Sequence, residues 1–180
     1  MGIRFVLLDR DGVINQDRPE SVRSRNAFVV LPSVPEAIAL LNQKGYAVLV
    51  VTNQACVGRG QLSREELDAI HRLMSDEVGR AGGQIEQIYV CPHIDQDHCD
   101  CRKPKTGLID QARQECGFQP AETWMVGDDL RDIQAAQAAG CRPALVRTGK
   151  GGQVVAPADV PIFWDLMHFA VTIPDVEQAT

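Results

Sequence analysis

Two carboxylates, Asp9 and Asp11, flank an arginine in "LLDRDG", and two more, Asp128 and Asp129, stand side by side in "VGDD". Between these stretches lie a hydroxyl–amide run, Thr52-Asn53-Gln54, and a cationic pair, Arg102-Lys103. These residue types suit phosphoryl transfer through an aspartate. A carboxylate that attacks phosphorus forms an acyl phosphate, which splits one hard hydrolysis into two easier steps. Two anions do not meet unassisted, so the chemistry calls for a hard cation. Mg²⁺ commonly takes one or two carboxylates together with a substrate phosphate. Asp9 and Asp128 fit that duty, with Asp129 as an additional candidate. Asp11, two residues beyond Asp9, falls on the same side of an extended segment. It can give a proton to a leaving alcohol and later take one from water. Thr52 and Asn53, with Gln54 beside them, would hold phosphoryl oxygens, while Lys103 would balance charge in the transition state.

A second constellation crowds into "CPHIDQDHCDCRKPKTG", where Cys91, His93, Cys99 and Cys101 form Cys-x-His-x5-Cys-x-Cys. Four nitrogen and sulfur donors without a vacancy describe a structural, tetrahedral zinc site. His98 is an alternative donor in place of His93 or Cys99. The plain alternative is a set of partly buried thiols beside a surface histidine. Zinc here would pin a loop that otherwise loses entropy on ordering, and so fix Arg102 and Lys103 over a phosphate.

The bulk numbers bound these readings. With 180 residues, 44% of them hydrophobic and 23% charged, the chain is expected to form one domain spanning residues 1–180. A net charge of −6 argues against broad binding to DNA or RNA. No apolar stretch approaches the roughly 18–20 residues that cross a bilayer, and the N-terminus lacks the shape of a signal peptide. The expectation is a cytoplasmic protein with no membrane partner. In a reducing compartment, clustered cysteines are metal ligands before they are disulfides.

The elements that must position these groups follow from periodicity. "IRFVLLD", "YAVLVVT", "QIEQIYV", "TWMVG" and "RPALVR" are short apolar runs that read as buried strands. Helical segments lie between them. One has Ser33 as N-cap, Glu36 three residues on and Gly45 as its stop. Another has Ser63 and Glu66 as a capping box. "GLIDQARQECG" and the Ala-rich "LRDIQAAQAAG" supply two more. From Thr148 onward the chain reads as a Gly- and Pro-rich tail with one amphipathic piece near Trp164–Ala170. Alternating strands and helices predict an α/β fold with a parallel sheet covered on both faces. In such sheets ligands bind beyond the carboxyl ends of the strands. Asp9, Thr52, the Cys/His loop and Asp128 each follow a strand directly, and Asp132 comes one helical turn after Asp128.

"LLDRDGVIN", "VVTNQ", "CRKPKTG" and "MVGDDLRDI", in this order across residues 3–150, resemble the four motifs of the haloacid dehalogenase-like phosphatases. The resemblance implies a doubly wound, Rossmann-like sheet without a large cap domain. It makes Asp9 the nucleophile and Asp11 the general acid/base. It implies Mg²⁺ on Asp9, the backbone carbonyl of Asp11 and Asp128, and phosphate on Thr52 and Lys103. "CPH…CDCRKP" resembles the zinc-loop subgroup, with the zinc loop at 91–101, whose members act on a heptose bisphosphate or on histidinol phosphate. A small phosphorylated sugar is therefore the expected partner, and a monomer the expected state. Arg18, Arg23, Arg25, Arg147 and Lys150 favour a substrate with a second phosphate, whereas histidinol phosphate, with its amine, would prefer a carboxylate. Candidate sugar contacts are Arg102, Arg23, and Asp17 and Glu20 at the ends of "DRPE". The chain departs from the subgroup at Ala55-Cys56, usually Ser-Gly, and at Asp129. A rival of another class, a non-catalytic zinc-binding interaction module, would need the four donors but has no use for Asp9, Asp11 and Asp128 together.

Overall fold

The computed structural model of the protein describes residues 3–176. In chain order the main elements are β1 (Arg4–Leu8), α1 (Val34–Gln43), β2 (Tyr46–Asn53), the single turn α2 (Ala55–Gly58) and α3 (Arg64–Arg80). They continue with β3 (Gln87–Cys91), α4 (Gly107–Cys116), β4 (Trp124–Gly127), α5 (Leu130–Ala138), β5 (Arg142–Val146), β6 (Ile162–Phe163) and α6 (Leu166–Thr172). All strand pairs are parallel, in the order β3-β2-β1-β4-β5-β6.

Strand side chains alternate between two cores, as a period of two requires. Val6, Leu8, Val48 and Val50 pack with α1, α3 and α6 on one face. Phe5, Leu7, Leu49 and Val51 pack with α4 and α5 on the other. Burial on both faces is why these strands read as unbroken apolar runs. The expected doubly wound parallel sheet is therefore present. Among the described residues no helix is long and apolar enough to cross a membrane.

The helix starts show which local signals operate. Ser63 caps α3 as expected, its Oγ accepting the Glu66 N–H at 3.1 Å. The carboxylate of Glu66, however, accepts from the Arg25 backbone N–H instead of closing the capping box. Ser33 occupies the N-cap position of α1 with φ 62° and makes no side-chain cap. The segment read as tail adds a strand and a helix. β6 joins the sheet beside β5 through Leu145↔Ile162 and Val146↔Phe163. Two residues are too few to carry a periodic signal, so pairing alone defines this strand.

The strand order places a topological switch between β1 and β4. From β1 the chain winds outward to β2 and β3, then returns to lay β4 on the other side of β1. The loops after β1 and β4 thus diverge and open a crevice at their carboxyl ends. Asp9 follows β1 and Asp128 follows β4, and the Asp9 N–H donates to the Val126 carbonyl at 3.0 Å.

Candidate active site

A cavity of about 240 Å³ opens at this switch point. Asp9, Asp11, Asn53, Lys103, Asp128 and Asp129 line its floor and walls. Lys103 is its electrostatic centre. Its ammonium lies 2.9 Å from Asp9 Oδ1 and 2.7 Å from Asp132 Oδ1, and donates to the Val51 carbonyl at 2.8 Å. Burial works against the charge on Lys103, but Asp132 and Asp9 outweigh it and hold the pKa above the usual lysine value. The two-way hydrogen bonds between Asn53 and the Lys103 backbone, at 3.0 and 3.1 Å, fasten this loop to the end of β2. Asn53 lines the cavity, yet its amide is engaged with the chain itself.

Carboxylate oxygens of Asp9, Asp128 and Asp132 lie within 4.8 Å of one another. Three buried carboxylates face one ammonium, an excess of negative charge that calls for a further cation. Oxygen-only donors suit a hard ion such as Mg²⁺. Two close-packed glycines confine Asp128. A Cβ on Gly12 (φ +84°) or Gly149 (φ +56°) would stand 2.1 Å from Asp128 Oδ2. The segment after β5 that carries Gly149 delivers the Lys150 N–H to that same oxygen at 2.8 Å.

One sequence expectation for the metal is corrected here. Asp129 is outside the carboxylate cluster. It is the N-cap of α5, accepts from the Arg131 N–H at 3.2 Å, and pairs with Arg131 and Lys150. Asp132, fully buried, takes the third place in the cluster and accepts from the Asp129 N–H at 3.1 Å. The side chain of Asp11 is also outside the cluster. It accepts from Arg10, Asn15 and Gln54, which leaves only its backbone carbonyl for a cation.

Burial, only partly offset by Lys103, raises the pKa of Asp9 to about 7. Burial, reinforced by Asp9, raises that of Asp128 to about 8. Both values lie above the 3.8 of an ordinary aspartate. In the metal-free protein, stability from these groups is fully present below that value and is lost as pH rises through the folded-state values. A bound cation favours the ionised forms and displaces the protons. The Mg²⁺ concentration that gives half-maximal thermal stabilisation should therefore fall at least about tenfold between roughly pH 6 and pH 8. A midpoint independent of pH would contradict these proton affinities.

Thr52 is fully buried, its Oγ1 accepting from Gln54 Nε2 at 2.9 Å. The same Gln54 nitrogen donates to Asp11 Oδ2 at 2.7 Å. Gln54 thus links two expected site residues and lines the cavity itself. Cys56 also reaches the lining but is buried, and burial raises its pKa, so it is a packed thiol.

At the rim, Arg102 pairs with Asp95, and Asp17 lies 3.5 Å from the Lys150 ammonium. Arg18, Arg59 and Arg131 join them. Of the expected sugar contacts, Glu20 and Arg23 are exposed and lie outside the cavity lining. Arg25 turns to Glu66, and Arg147 is exposed. The segment after Asp17 presents Arg18 and Pro19 to the cavity instead. Arg59 and Arg131 gave no signal in the sequence, where surface arginines are indistinguishable from one another.

Cys91, His93, Cys99 and Cys101 meet with donor atoms within 4.8 Å, and His98 is not among them. Cys91 and Cys99 sulfurs stand 3.7 Å apart, Cys99 and Cys101 3.4 Å, and His93 Nδ1 lies 3.2 Å from the Cys101 sulfur. A tetrahedral zinc with sulfur bonds of 2.3 Å has ligand–ligand edges of about 3.8 Å. The donor set fits. Cys91 closes β3, so a strand anchors one corner of the loop and Arg102-Lys103 follow directly from another.

Fold and site define a haloacid dehalogenase-like phosphatase, and the chain belongs to that family. A family model described as "HAD-hyrolase-like" matches residues 100–161. The chain is 42% identical over 174 residues to D-glycero-beta-D-manno-heptose-1,7-bisphosphate 7-phosphatase of Neisseria meningitidis, with 93% of each chain covered. It is 40% identical over 173 residues to the protein of that name from Pseudomonas aeruginosa, covering 94% of this chain and 97% of the relative. The crystal structure of D,D-heptose 1,7-bisphosphate phosphatase from B. bronchiseptica, complexed with magnesium and phosphate, superposes with a TM-score of 0.90 at 38% identity, covering 93% of this chain and 96% of that one.

Proposed function

We propose that this protein is a Mg²⁺-dependent phosphomonoesterase that removes the 7-phosphate of D-glycero-D-manno-heptose 1,7-bisphosphate through an aspartyl phosphate. It acts as a cytoplasmic monomer, and a zinc ion on Cys91, His93, Cys99 and Cys101 braces its phosphate-binding loop. The observation that carries the reading is the pairing of a carboxylate centre with a cationic rim. Arg102, Arg131 and Lys150 face the cavity while paired with Asp95, Asp129 and Asp17, and Arg18 and Arg59 line it without a carboxylate partner among the described residues. The rim thus offers cations beyond the Lys103 that serves the transferring phosphate. A second phosphate on the substrate uses them.

In this reading Asp9 attacks the phosphorus while the phosphorus–oxygen bond to the sugar breaks. Oδ1 of Asp9 is held by the Arg10 N–H at 2.7 Å and by Lys103, so Oδ2 is the oxygen turned to the reaction. Despite burial, Arg10, Asn15 and Gln54 hold the Asp11 carboxyl below the usual carboxylate range in the free protein, so Asp11 takes up a proton from solvent as the substrate binds. It gives that proton to the sugar oxygen, then takes one from the water that cleaves the acyl phosphate, returning Asp9 and free phosphate. Asp9, the Asp11 carbonyl, Asp128 and Asp132 would hold Mg²⁺ or its waters. The ion supplies charge neutralisation between nucleophile and phosphate. Lys103 stabilises the transferring group, and the Asn53-Gln54 edge of the cavity orients it, with Thr52 buried behind and accepting from Gln54.

A panel of both heptose bisphosphate anomers, fructose bisphosphate and histidinol phosphate tests the substrate. The 1,7-bisphosphate should exceed histidinol phosphate in kcat/KM by at least about 100-fold, because each charged hydrogen bond to the second phosphate adds discrimination. The product should retain the phosphate at carbon 1. Equal turnover of histidinol phosphate would remove the heptose assignment and leave the reaction type intact.

A further inference from the structure

Arg10, which stands between the two carboxylates of the first motif in sequence, is fully buried, and a buried cation is costly unless it is paired. One of its terminal nitrogens, Nη2, donates to both oxygens of Asp11, at 2.9 and 3.0 Å. The guanidinium lies 6.0 Å from the centre of the Phe28 ring. The other terminal nitrogen, Nη1, lies 3.3 Å from Nε2 of His71, on α3 and 61 residues away. A guanidinium only donates, so this contact requires the tautomer of His71 that keeps its proton on Nδ1. Burial, then the charge of Arg10, hold the imidazole neutral, with a pKa of about 3.

We infer that His71 is a positioning residue for proton transfer, acting on Asp11 through Arg10. Its Nε2 lone pair fixes the rotation of the guanidinium. The guanidinium, with Asn15 at 2.9 Å and Gln54 at 2.7 Å, then fixes the plane of the Asp11 carboxylate. A helix packed beneath the sheet thereby sets the angle at which Asp11 meets the leaving oxygen and the attacking water. The inference rests on the reading of Asp11 as general acid/base.

The test compares His71→Leu, which removes the acceptor, with His71→Gln, whose amide oxygen restores it. For heptose bisphosphate, kcat should fall about tenfold or more in the leucine variant, with KM changed less than about twofold. The glutamine variant should recover most of the loss. The rate of enzyme phosphorylation by p-nitrophenyl phosphate should stay within about twofold of wild type, because that leaving group departs without a proton donor. Equal losses on both esters, or a loss that glutamine does not restore, would assign His71 to packing and overturn the inference. Asp11→Asn separates the two layers. If that variant turns over the bisphosphate like wild type, the acid/base reading itself fails; if it is inactive while His71→Leu is not, only the positioning role is lost.

Discussion

Asp9→Asn is expected to lower kcat for phosphate esters by at least about 10⁴-fold, the scale on which loss of a nucleophile removes catalysis. The amide cannot attack phosphorus, and no other carboxylate stands in for it, since Asp132 is held against Lys103 and Asp128 is fixed by the Lys150 N–H. The fold should not suffer. Burial already pushes Asp9 up to about 7, so its ionised form is unfavourable in the metal-free protein, and a neutral isostere relieves that cost. The melting temperature without metal should be equal or higher, and zinc content unchanged. Turnover that survives the substitution would remove Asp9 as the nucleophile. A variant that is inactive but unfolded would contradict the charge argument instead.

Cys101→Ser is expected to give the second-largest effect, and mainly in metal content. A structural zinc contributes roughly 10–16 kcal/mol in isolated fingers, and loss of one thiolate from four largely removes that affinity. Bound zinc should drop from about one equivalent to a small fraction of one. Cys101 lies two residues from Lys103, so the loop that carries the buried Lys103 ammonium loosens with it. Solubility and kcat should both fall, while the Mg²⁺ midpoint shifts less, because Asp9, Asp128 and Asp132 reach the site from β1 and from the segment after β4. Elemental analysis of the purified wild type is the simplest check. Protein that is folded, active and free of zinc would remove the bracing role.

How far the sequence carried these assignments depends on the kind of signal. The strands that lead to Asp9 and Asp128, and those that end at Asn53 and Cys91, were legible because both sheet faces are covered, which leaves apolar runs that stop abruptly at polar residues. Ser63 was legible because capping is local, a matter of one hydroxyl and an N–H three residues on. The four Cys and His donors that meet in one cluster were legible by spacing. Glu66 was half legible: its position suits a capping box, but Arg25, from a distant segment, offers a competing N–H.

Asp129 and Asp132 mark the boundary most clearly. In sequence they are two acids in the first turn of a helix, and adjacency to Asp128 favours Asp129 as a metal ligand. In the fold the nearer one caps α5 and the farther one meets Lys103, which arrives from the loop after β3. Arg10 is a similar case, since its burial against Phe28 and His71 depends on α3 packing over the β1 loop. By itself the sequence determined the order of the first five strands and the long helices between them, the residues near each strand end and the donor types available, because these follow from short-range periodicity and local chemistry. Only the tertiary structure decided which acids cluster beside Lys103, which arginines face the cavity and which charge is sealed inside. Those outcomes depend on distances between segments that are remote along the chain, and side-chain type at one position carries no information about them.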